Sequence, residues 1–378
     1  MNQKQSIAVI GQGFVGGSLT TVMNERGFTV FVYDKAGKVA EGGTALIAVS
    51  VSFEQMQKNA GLDTLPAEQA EVPNTRGFVE ECERQHLFSG VYFVCLPTPM
   101  YEDGAADLSI VESTLDELAK VPGSRIAVVK STVPPGSTEA WNRKYVGTGL
   151  RVVFSPEFLT EANALDDMRN QNRIVLGGPR PHINKVKEIF QSAFPSVKLI
   201  KTSSTTAEMV KYVTNCFLAT KVAFANEMSQ ICEALDATGA NIDYDKVVEY
   251  ARLDERLGTS HWAVPGPDGS RGYGGHCFPK DVNALVYQAK QLGIAPTVIE
   301  ASWKKNLEVR APEHRDWERM FGRAVSKRMG GPVNLEDQEA VKYFEALAFK
   351  KVTPTGALTI EPVKIEFDHD KINAEKAS

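Results

Sequence analysis

Short apolar runs alternate with segments of helical periodicity over the first two hundred residues. The apolar runs predict strands at 6–10, 29–33, 91–96, 125–130, 151–154 and 173–176. Helical segments lie between most of them, and strands that alternate with helices are typical of a parallel sheet covered on both faces. We therefore predict an α/β fold, with a doubly wound parallel sheet in a first domain over residues 1–200.

The pattern changes after residue 200. From Thr205 to about Thr238 there is neither glycine nor proline, and apolar residues recur at helical spacing. The recurring residues are Met209, Val213, Cys216, Phe217, Val222, Phe224, Met228, Ile231 and Leu235. They predict a helix on the order of 45 Å long, which can link domains and pair with a second copy of the chain.

Shorter helices are predicted near 243–254, 279–292 and 296–310, with a loop rich in glycine and proline at 258–278. We assign residues 201–310 to a helical central domain. The periodicity weakens beyond it, so that 311–378 is left as a separate C-terminal region.

A glycine pattern follows the first predicted strand. Gly11 permits a tight turn, Gly13 lets the backbone approach a diphosphate, and Gly16 allows close packing of the next helix. Asp34 ends the second strand, where a carboxylate can bind ribose hydroxyls. This predicts a Rossmann-like domain that prefers NAD to NADP, although Lys35 moderates the preference. The alternative is a glycine turn that binds no cofactor.

Two later loops follow strands of the same predicted sheet. One contains Pro97 and Thr98, and the other contains Ser131 and Thr132. Loops at the carboxyl ends of parallel strands form the ligand sites of open α/β sheets. We therefore expect both loops to border the dinucleotide.

One cysteine lies in an unusually glycine-rich segment. Cys277 falls within Gly272–Asp281, and Lys280 follows three residues later. A nearby cation lowers a thiol pKa, so Cys277 is a candidate nucleophile. Its neighbour His276 is equally consistent with a base and with an ordinary loop histidine, and we assign it no role. Cys216 and Cys232 instead match the apolar spacing of the long helix and are expected in the core.

The composition narrows the class of protein. The 378 residues carry a net charge of −5 and are 43% hydrophobic, which is ordinary for two or three globular domains. There is no basic stripe interleaved with aromatics and no apolar run of roughly 20 residues, so we expect neither nucleic acid nor membrane as a partner. No Cys-x-x-Cys pair and no signal peptide are present. We expect a cytoplasmic protein without a metal site or disulfides.

These segments resemble, in order, the motifs of the UDP-glucose/GDP-mannose dehydrogenase family over about residues 6–310. The shared motifs are Gly11–Gly16 with Asp34, Pro97-Thr98-Pro99, Lys130–Pro134, Pro156–Leu159 with Glu161, then Glu208, Lys211, Asn215, Lys221 and Gly272–Asp281. The resemblance implies that two NAD molecules are reduced in turn while C6 of a nucleotide-bound sugar becomes a carboxylate. It favours UDP-glucose, which would give UDP-glucuronate, and leaves UDP-N-acetylhexosamines, among them UDP-N-acetylmannosamine, and GDP-mannose as alternatives. It also implies a homodimer built on the 205–238 helix and a second Rossmann-like domain that holds the nucleotide.

The resemblance further implies the roles of single residues. Cys277 attacks the bound aldehyde as a thiolate, and the thiohemiacetal is oxidised to a thioester that water hydrolyses. Lys211 and Asn215, four positions apart on one helix face, stabilise an oxyanion or alkoxide. The catalytic water and proton transfers fall to Glu157 and Thr132, with Asp281 orienting Lys211 or water.

Two binding sets complete the implied site. For the cofactor they are Gly11, Gly13, Phe14, Val15, Gly16, Asp34, Pro97, Thr98, Ser131, Thr132, Glu161 and Lys280. For the substrate they are Phe158, Leu159, Glu161, Lys211, Asn215, Arg256, His261, Arg271, Tyr273 and Gly274. Arg256 and Arg271 are credible phosphate partners because a guanidinium fork matches phosphate oxygens; both can equally be solvated loop charges.

The resemblance weakens in the C-terminal region. Leu347–Lys351 is similar to a motif that opens the family's third domain, but too few residues follow it for a nucleotide-binding half. The nucleotide is then held by the 256–275 loop, or covered by a reduced tail, or bound weakly. Two other functions stay open: a non-catalytic NAD-binding subunit, and a two-electron dehydrogenase of the hydroxyacid type, which needs no cysteine.

Overall fold

The computed structural model describes residues 5–45, 74–85 and 88–328, and one eight-stranded sheet organises the first half of the chain. The strands are β1 (Ser6–Ile10), β2 (Thr29–Tyr33), β3 (Gly43–Ala45), β4 (Phe88–Val94), β5 (Arg125–Val129), β6 (Leu150–Phe154), β7 (Arg173–Gly177) and β8 (Lys198–Thr202). Their order is β3-β2-β1-β4-β5-β6-β7-β8, and neighbours are parallel except β6 and β7, which meet antiparallel at Phe154 and Gly177. The order reverses direction between β1 and β4, where open α/β sheets bind ligands.

Helices cover both faces of this sheet. They are α1 (Phe14–Glu25), α2 (Thr75–Arg84), α3 (Ser109–Lys120), α4 (Ser137–Lys144), α5 (Ala164–Arg169) and α6 (Arg180–Ala193). Successive side chains of a strand point to opposite faces, so Ile7 and Val9 enter one apolar cluster while Ala8 and Ile10 enter the other. The predicted α/β class with a doubly wound, mostly parallel sheet is confirmed.

The predicted long helix is α7 (Ser204–Asp236), 33 residues long. The Ser203 side chain accepts a hydrogen bond from the Thr206 N–H at 3.2 Å and so caps its first turn. Three further helices follow, α8 (Tyr244–Ala251), α9 (Phe278–Gln291) and α10 (Thr297–Val309), and α9 and α10 pack against α7. Cys216 and Cys232 are buried, as the apolar spacing predicts.

After α10 the chain turns back toward the sheet. Two short 3₁₀ turns, Pro312–His314 and Asp316–Arg319, open a segment that we call the strap, residues 312–328. The strap reaches the loop after β4, where the Met100 N–H donates to the Ala324 carbonyl at 2.8 Å. The rest of the predicted C-terminal region, with the Leu347–Lys351 motif, lies outside the described residues. Within the described ranges, no helix combines the length and apolarity needed to cross a membrane.

Candidate active site

A cavity of about 280 Å³ opens at the carboxyl edge of the sheet, where the strand order reverses. The glycine pattern and the strand ends contribute Gly11, Gly13, Phe14, Val15, Asp34, Lys38, Cys95, Leu96, Pro97 and Thr98. The opposite wall is formed by Lys130, Ser131, Thr132, Glu157, Leu159, Lys211, His276, Cys277, Lys280 and Arg323. The dinucleotide fingerprint and the cysteine segment, more than 250 positions apart in the sequence, therefore face one space.

The fingerprint residues fit a dinucleotide. A Cβ at Gly16 would lie 1.8 Å from the Gly11 carbonyl, so only glycine lets α1 begin this close to β1. A Cβ at Gly13 would meet nothing within 4 Å, and no side chain caps α1. The helix N-terminus thus offers free N–H groups and a partial positive charge to a diphosphate.

Asp34 is fixed by hydrogen bonds at the end of β2. Its carboxylate accepts the Gln12 N–H and the Ala36 N–H, both at 2.8 Å. These bonds hold the carboxylate at the end of β2, where it borders the cavity. A carboxylate in this place can accept hydrogen bonds from ribose hydroxyls and repels a 2′-phosphate.

The loop that contains Thr98 and the loop that contains Ser131 and Thr132 are hydrogen-bonded to each other. The Leu96 N–H donates to Ser131 Oγ at 3.0 Å, and that hydroxyl donates to the Leu96 carbonyl at 2.6 Å. Thr98 Oγ1 donates to the Thr132 carbonyl at 2.7 Å. The loops after β4 and β5 therefore form one wall of the cavity.

A buried ion pair lies on this wall. Lys130 Nζ is 3.0 Å from Glu157 Oε2, and both side chains are less than a tenth exposed. The second carboxylate oxygen of Glu157 accepts the Phe158 N–H at 2.9 Å. Burying two charges is costly unless they are paired, and here each offsets the other. No role was predicted for Lys130 itself, although its position at the end of a buried strand was the available signal.

The long helix presents its buried face to the cavity. Lys211 Nζ donates to the Glu157 carbonyl, and Asn215 Nδ2 donates to Asp281 Oδ2 at 2.5 Å. The other Asp281 oxygen pairs with Lys280. Asp281 therefore has Asn215 and Lys280 as direct partners, while Lys211 lies in its field without a direct bond.

Cys277 is the N-cap residue of α9, and it lines the cavity. Burial raises its pKa, and the charges of Lys280 and Lys211 partly oppose that effect. Burial also lowers the pKa of Lys211, against the pull of Asp281. The raised pKa favours a protonated thiol, and the charges of the two lysines would stabilise a thiolate once it forms.

Glu208 occupies a structural place on the same helix. It is fully buried, and its two carboxylate oxygens accept the Gly136 N–H at 2.6 Å and the Thr138 N–H at 2.8 Å. Burial raises the pKa of this carboxyl, and the two backbone donors oppose the rise. Glu208 joins α7 to the loop that follows β5.

Several predicted substrate residues do not line the cavity. Arg256 is 88% exposed at its side chain and pairs with Asp254. Arg271 pairs with Glu233 on α7. Each arginine therefore already has a carboxylate partner within the chain.

The aromatic members of the predicted set are packing residues in this structure. The His261 ring lies 5.8 Å from the Phe278 ring, and Tyr273 packs on Phe278 at the same distance. The Phe158 ring lies 4.2 Å from the Arg173 guanidinium. They support the cysteine segment and the loop after β6.

Two further residues of the predicted sets, Glu161 and Gly274, contact other side chains at or near the site. Glu161 is half-exposed and lies 3.2 Å from His276 Nδ1 and 3.4 Å from the Arg323 guanidinium. Gly274 has no room for a side chain, because a Cβ would lie 2.3 Å from Arg310. His276 and Arg323 were given no role by the sequence analysis, and no local pattern marks Arg323.

Comparison with known proteins places this geometry in a family. Residues 5–194 match the model of the UDP-glucose/GDP-mannose dehydrogenase family, NAD binding domain, and residues 205–308 match the central domain of that family. UDP-glucose 6-dehydrogenase AglM of Haloferax volcanii is 31% identical over 317 residues, which are 78% of this chain and 68% of that protein. UDP-glucose 6-dehydrogenase of Rhizobium meliloti is 33% identical over 339 residues, covering 86% and 71%.

A solved structure agrees with these matches. The UDP-glucose dehydrogenase from Pyrobaculum islandicum superposes with a TM-score of 0.62 at 26% identity, over 80% of this chain and 68% of that one. The matched part spans 63 to 68% of the length of the first three curated relatives. The first domain of this chain is thus an NAD binding domain, and the chain belongs to the UDP-glucose/GDP-mannose dehydrogenase family.

Proposed function

We propose that the protein oxidises a nucleotide sugar at C6 to the uronate in two NAD-dependent steps, and that the sugar nucleotide is UDP-glucose. The observation that carries this proposal is the shared cavity: Cys277, Lys211 and Glu157 face the space that the dinucleotide fingerprint borders. The curated relatives at 31 to 33% identity are named as UDP-glucose 6-dehydrogenases. NAD, when bound at the fingerprint, accepts two electrons in each oxidation.

The first oxidation requires removal of the C6 hydroxyl proton. Burial lowers the pKa of Lys211, which favours its neutral amine relative to that of an exposed lysine. The neutral amine accepts the hydroxyl proton, and the ammonium so formed stabilises oxygen charge. Asn215, one turn further along α7, is oriented by the hydrogen bond that its amide nitrogen donates to Asp281.

The second oxidation uses the sulfur. The Cys277 thiol loses its proton, its thiolate adds to the aldehyde carbon, and the adduct takes up a proton to give a thiohemiacetal. This adduct then loses a hydride to the second NAD and its hydroxyl proton, two electrons and two protons in all, to become a thioester. Water then adds to the thioester carbon, and the acid and the free thiol are released. The Glu157 carboxylate, paired with Lys130, and the Thr132 hydroxyl lie on the wall that would orient this water.

The stoichiometry of the reaction tests the proposal. With UDP-glucose and NAD, we expect two NADH for each sugar nucleotide consumed, and no acid from the Cys277→Ser variant. Cys232→Ser is the matched control, because Cys232 is buried on α7 and does not line the cavity. One NADH per sugar, or unchanged acid formation by Cys277→Ser, would reject the thioester route.

A panel of nucleotide sugars identifies the substrate. UDP-N-acetylmannosamine and GDP-mannose are the competing substrates, and the one with the highest kcat/KM is the assignment. NADH binding without turnover on any sugar in the panel would instead identify a non-catalytic subunit. Turnover of a small hydroxyacid would identify a two-electron dehydrogenase.

We also propose a homodimer formed through α7. Six large apolar residues on this helix are each more than two fifths exposed: Met209, Val213, Phe217, Phe224, Ile231 and Leu235. They are spaced by four or seven positions, which keeps them on one face of an α-helix. The opposite face carries Glu208, Lys211 and Asn215, so that α7 separates the predicted dimer contact from the cavity.

A further inference from the structure

The strap places an arginine in the cavity from a segment that the family models do not match. The matched residues end at 308, and the strap covers 312–328. Arg323 is the one strap residue that lines the cavity, within the described part of the chain. It therefore supplies a positive charge that neither family domain model accounts for.

The strap is anchored at both of its ends. The Asp316 carboxylate accepts the Gly275 N–H at 3.1 Å, two residues before the cysteine, and Trp317 is buried. At the other end, the Ser326 N–H donates to the Met100 carbonyl at 2.8 Å and the Ser326 hydroxyl donates to the Asp107 carboxylate at 2.5 Å. The strap thus joins the cysteine segment to the segment that follows β4, and the Arg323 side chain takes no part in these contacts.

The Arg323 side chain and the N-terminus of α1 border the same cavity, and a series of contacts connects them. The Arg323 guanidinium lies 3.4 Å from Glu161, and Glu161 lies 3.2 Å from His276. The His276 ring contacts the ring of Phe14, the first residue of α1, at 5.2 Å between centroids. A diphosphate in this cavity would therefore have both the guanidinium and the free N–H groups of α1 at its border.

The Arg323 to Glu161 pair leaves the guanidinium available. Both side chains are 51% exposed, and an exposed pair at this distance contributes little. The neighbouring strap arginines are committed to backbone: Arg315 donates to the Leu307 carbonyl at 2.7 Å, and Arg319 donates to the Glu313 carbonyl at 3.3 Å. A phosphate can displace one exposed carboxylate more readily than it can displace such structural bonds.

We propose that Arg323 binds the diphosphate of the dinucleotide, so that this group is held between the N-terminus of α1 and the strap. A planar guanidinium offers two parallel N–H donors to phosphate oxygens, and its charge complements the helix dipole. The proposal rests on the dinucleotide site of the proposed function but not on the identity of the sugar. A nucleotide sugar also carries a diphosphate, and the two sources are separated by binding measurements.

The test is a set of binding titrations with the reduced cofactor and with fragments of it, in the absence of turnover. NADH fluorescence should report binding at least tenfold weaker for Arg323→Ala than for the wild type, with an intermediate loss for Arg323→Lys, which keeps the charge without the fork. ADP-ribose, which retains the diphosphate, should show the same loss by calorimetry, whereas adenosine should show none. Arg319→Ala is the matched control on the same strap and should leave all affinities unchanged.

Two results would overturn the proposal. If Arg323→Ala weakens UDP-glucose binding and leaves NADH binding intact, the arginine serves the diphosphate of the sugar nucleotide. If neither affinity changes while the variant unfolds at the wild-type temperature, Arg323 is only a partner of Glu161. A protein that oxidises no sugar but loses NADH affinity on this substitution would refute the proposed function and leave this inference standing.

Discussion

At the scale of single residues, the chemistry of the site depends on charges that are held close together in a buried place. Lys130 pairs with Glu157, and Lys280 pairs with Asp281, so each of these two buried carboxylates has a cation beside it. Cys277 has lysines near it but no direct ionic partner among the described residues, and its pKa is raised by burial. A raised pKa favours the protonated thiol, which is the less reactive form of the proposed nucleophile.

The alkylation rate of Cys277 tests this state. Iodoacetamide reacts with the thiolate, and a raised pKa means that less thiolate is present at a given pH than in an ordinary thiol. We expect slow modification at pH 7 that accelerates as pH rises past the usual thiol range, followed by mass spectrometry of the Cys277 peptide. Lys280→Met should slow it further, because a cation is lost and the charge of Asp281 is no longer offset by an ion pair.

Lys290→Met is the control for that measurement. Lys290 lies on the same helix, is 58% exposed at its side chain and pairs with Glu300. The Lys290→Met substitution should leave the alkylation rate of Cys277 at the wild-type value. Rapid modification of wild-type Cys277 at pH 6 would contradict the protonated thiol.

At the scale of elements, α7 connects the two halves of the site through Glu208. Replacing this residue by glutamine exchanges one carboxylate oxygen for an NH2 group, which cannot accept a hydrogen bond. Either the Gly136 N–H or the Thr138 N–H then loses its acceptor. A buried donor left unsatisfied costs about 1–3 kcal/mol. We expect Glu208→Gln to lower the free energy of unfolding by that amount in urea titration.

Glu227→Gln provides the comparison on the same helix. Glu227 is 52% exposed at its side chain and its ion pair with Lys305 is long, at 3.8 Å. A surface change of this kind should stay within about 0.5 kcal/mol of wild type. Equal stability of the two variants would show that the buried bonds of Glu208 contribute nothing net.

The elements differ in how well their sequence predicts them. Strands β1, β2 and β4–β7 were predictable because burial on both faces produces continuous apolar runs. β3 is three residues at an exposed edge, and β8 has only two consecutive apolar residues, Leu199 and Ile200, between lysines, so neither carries that signal. The strap has no periodicity of its own, because distant partners such as Met100 hold it in place.

The candidate site divides in the same way. Gly11, Gly13 and Asp34 are readable because a dinucleotide demands a fixed backbone shape next to a strand. Arg256 and Arg271 were credible phosphate residues from charge alone, but nearby carboxylates on Asp254 and Glu233 pair with them, and only the fold reveals those partners.

At the scale of the whole molecule, the proposed homodimer depends on the exposed apolar face of α7. Phe217 is 67% exposed near the middle of that face, and a second copy would bury it. A charge there has to be removed from water on association, which is costly without a partner charge. We therefore expect wild-type protein to sediment as a dimer, and Phe217→Glu to shift it toward monomer at the same concentration. Val146→Glu is the control, since Val146 is 71% exposed but lies outside α7.

The cavity should survive this change, because Lys211 and Asn215 lie on the buried face of α7. NADH binding by the Phe217→Glu variant is then expected to match the wild type, which separates loss of the dimer from loss of the fold. A wild-type monomer at micromolar concentration would refute the dimer. If Phe217→Glu remained dimeric, the contact would have to be formed by another surface, and the exposed face of α7 would need a different explanation.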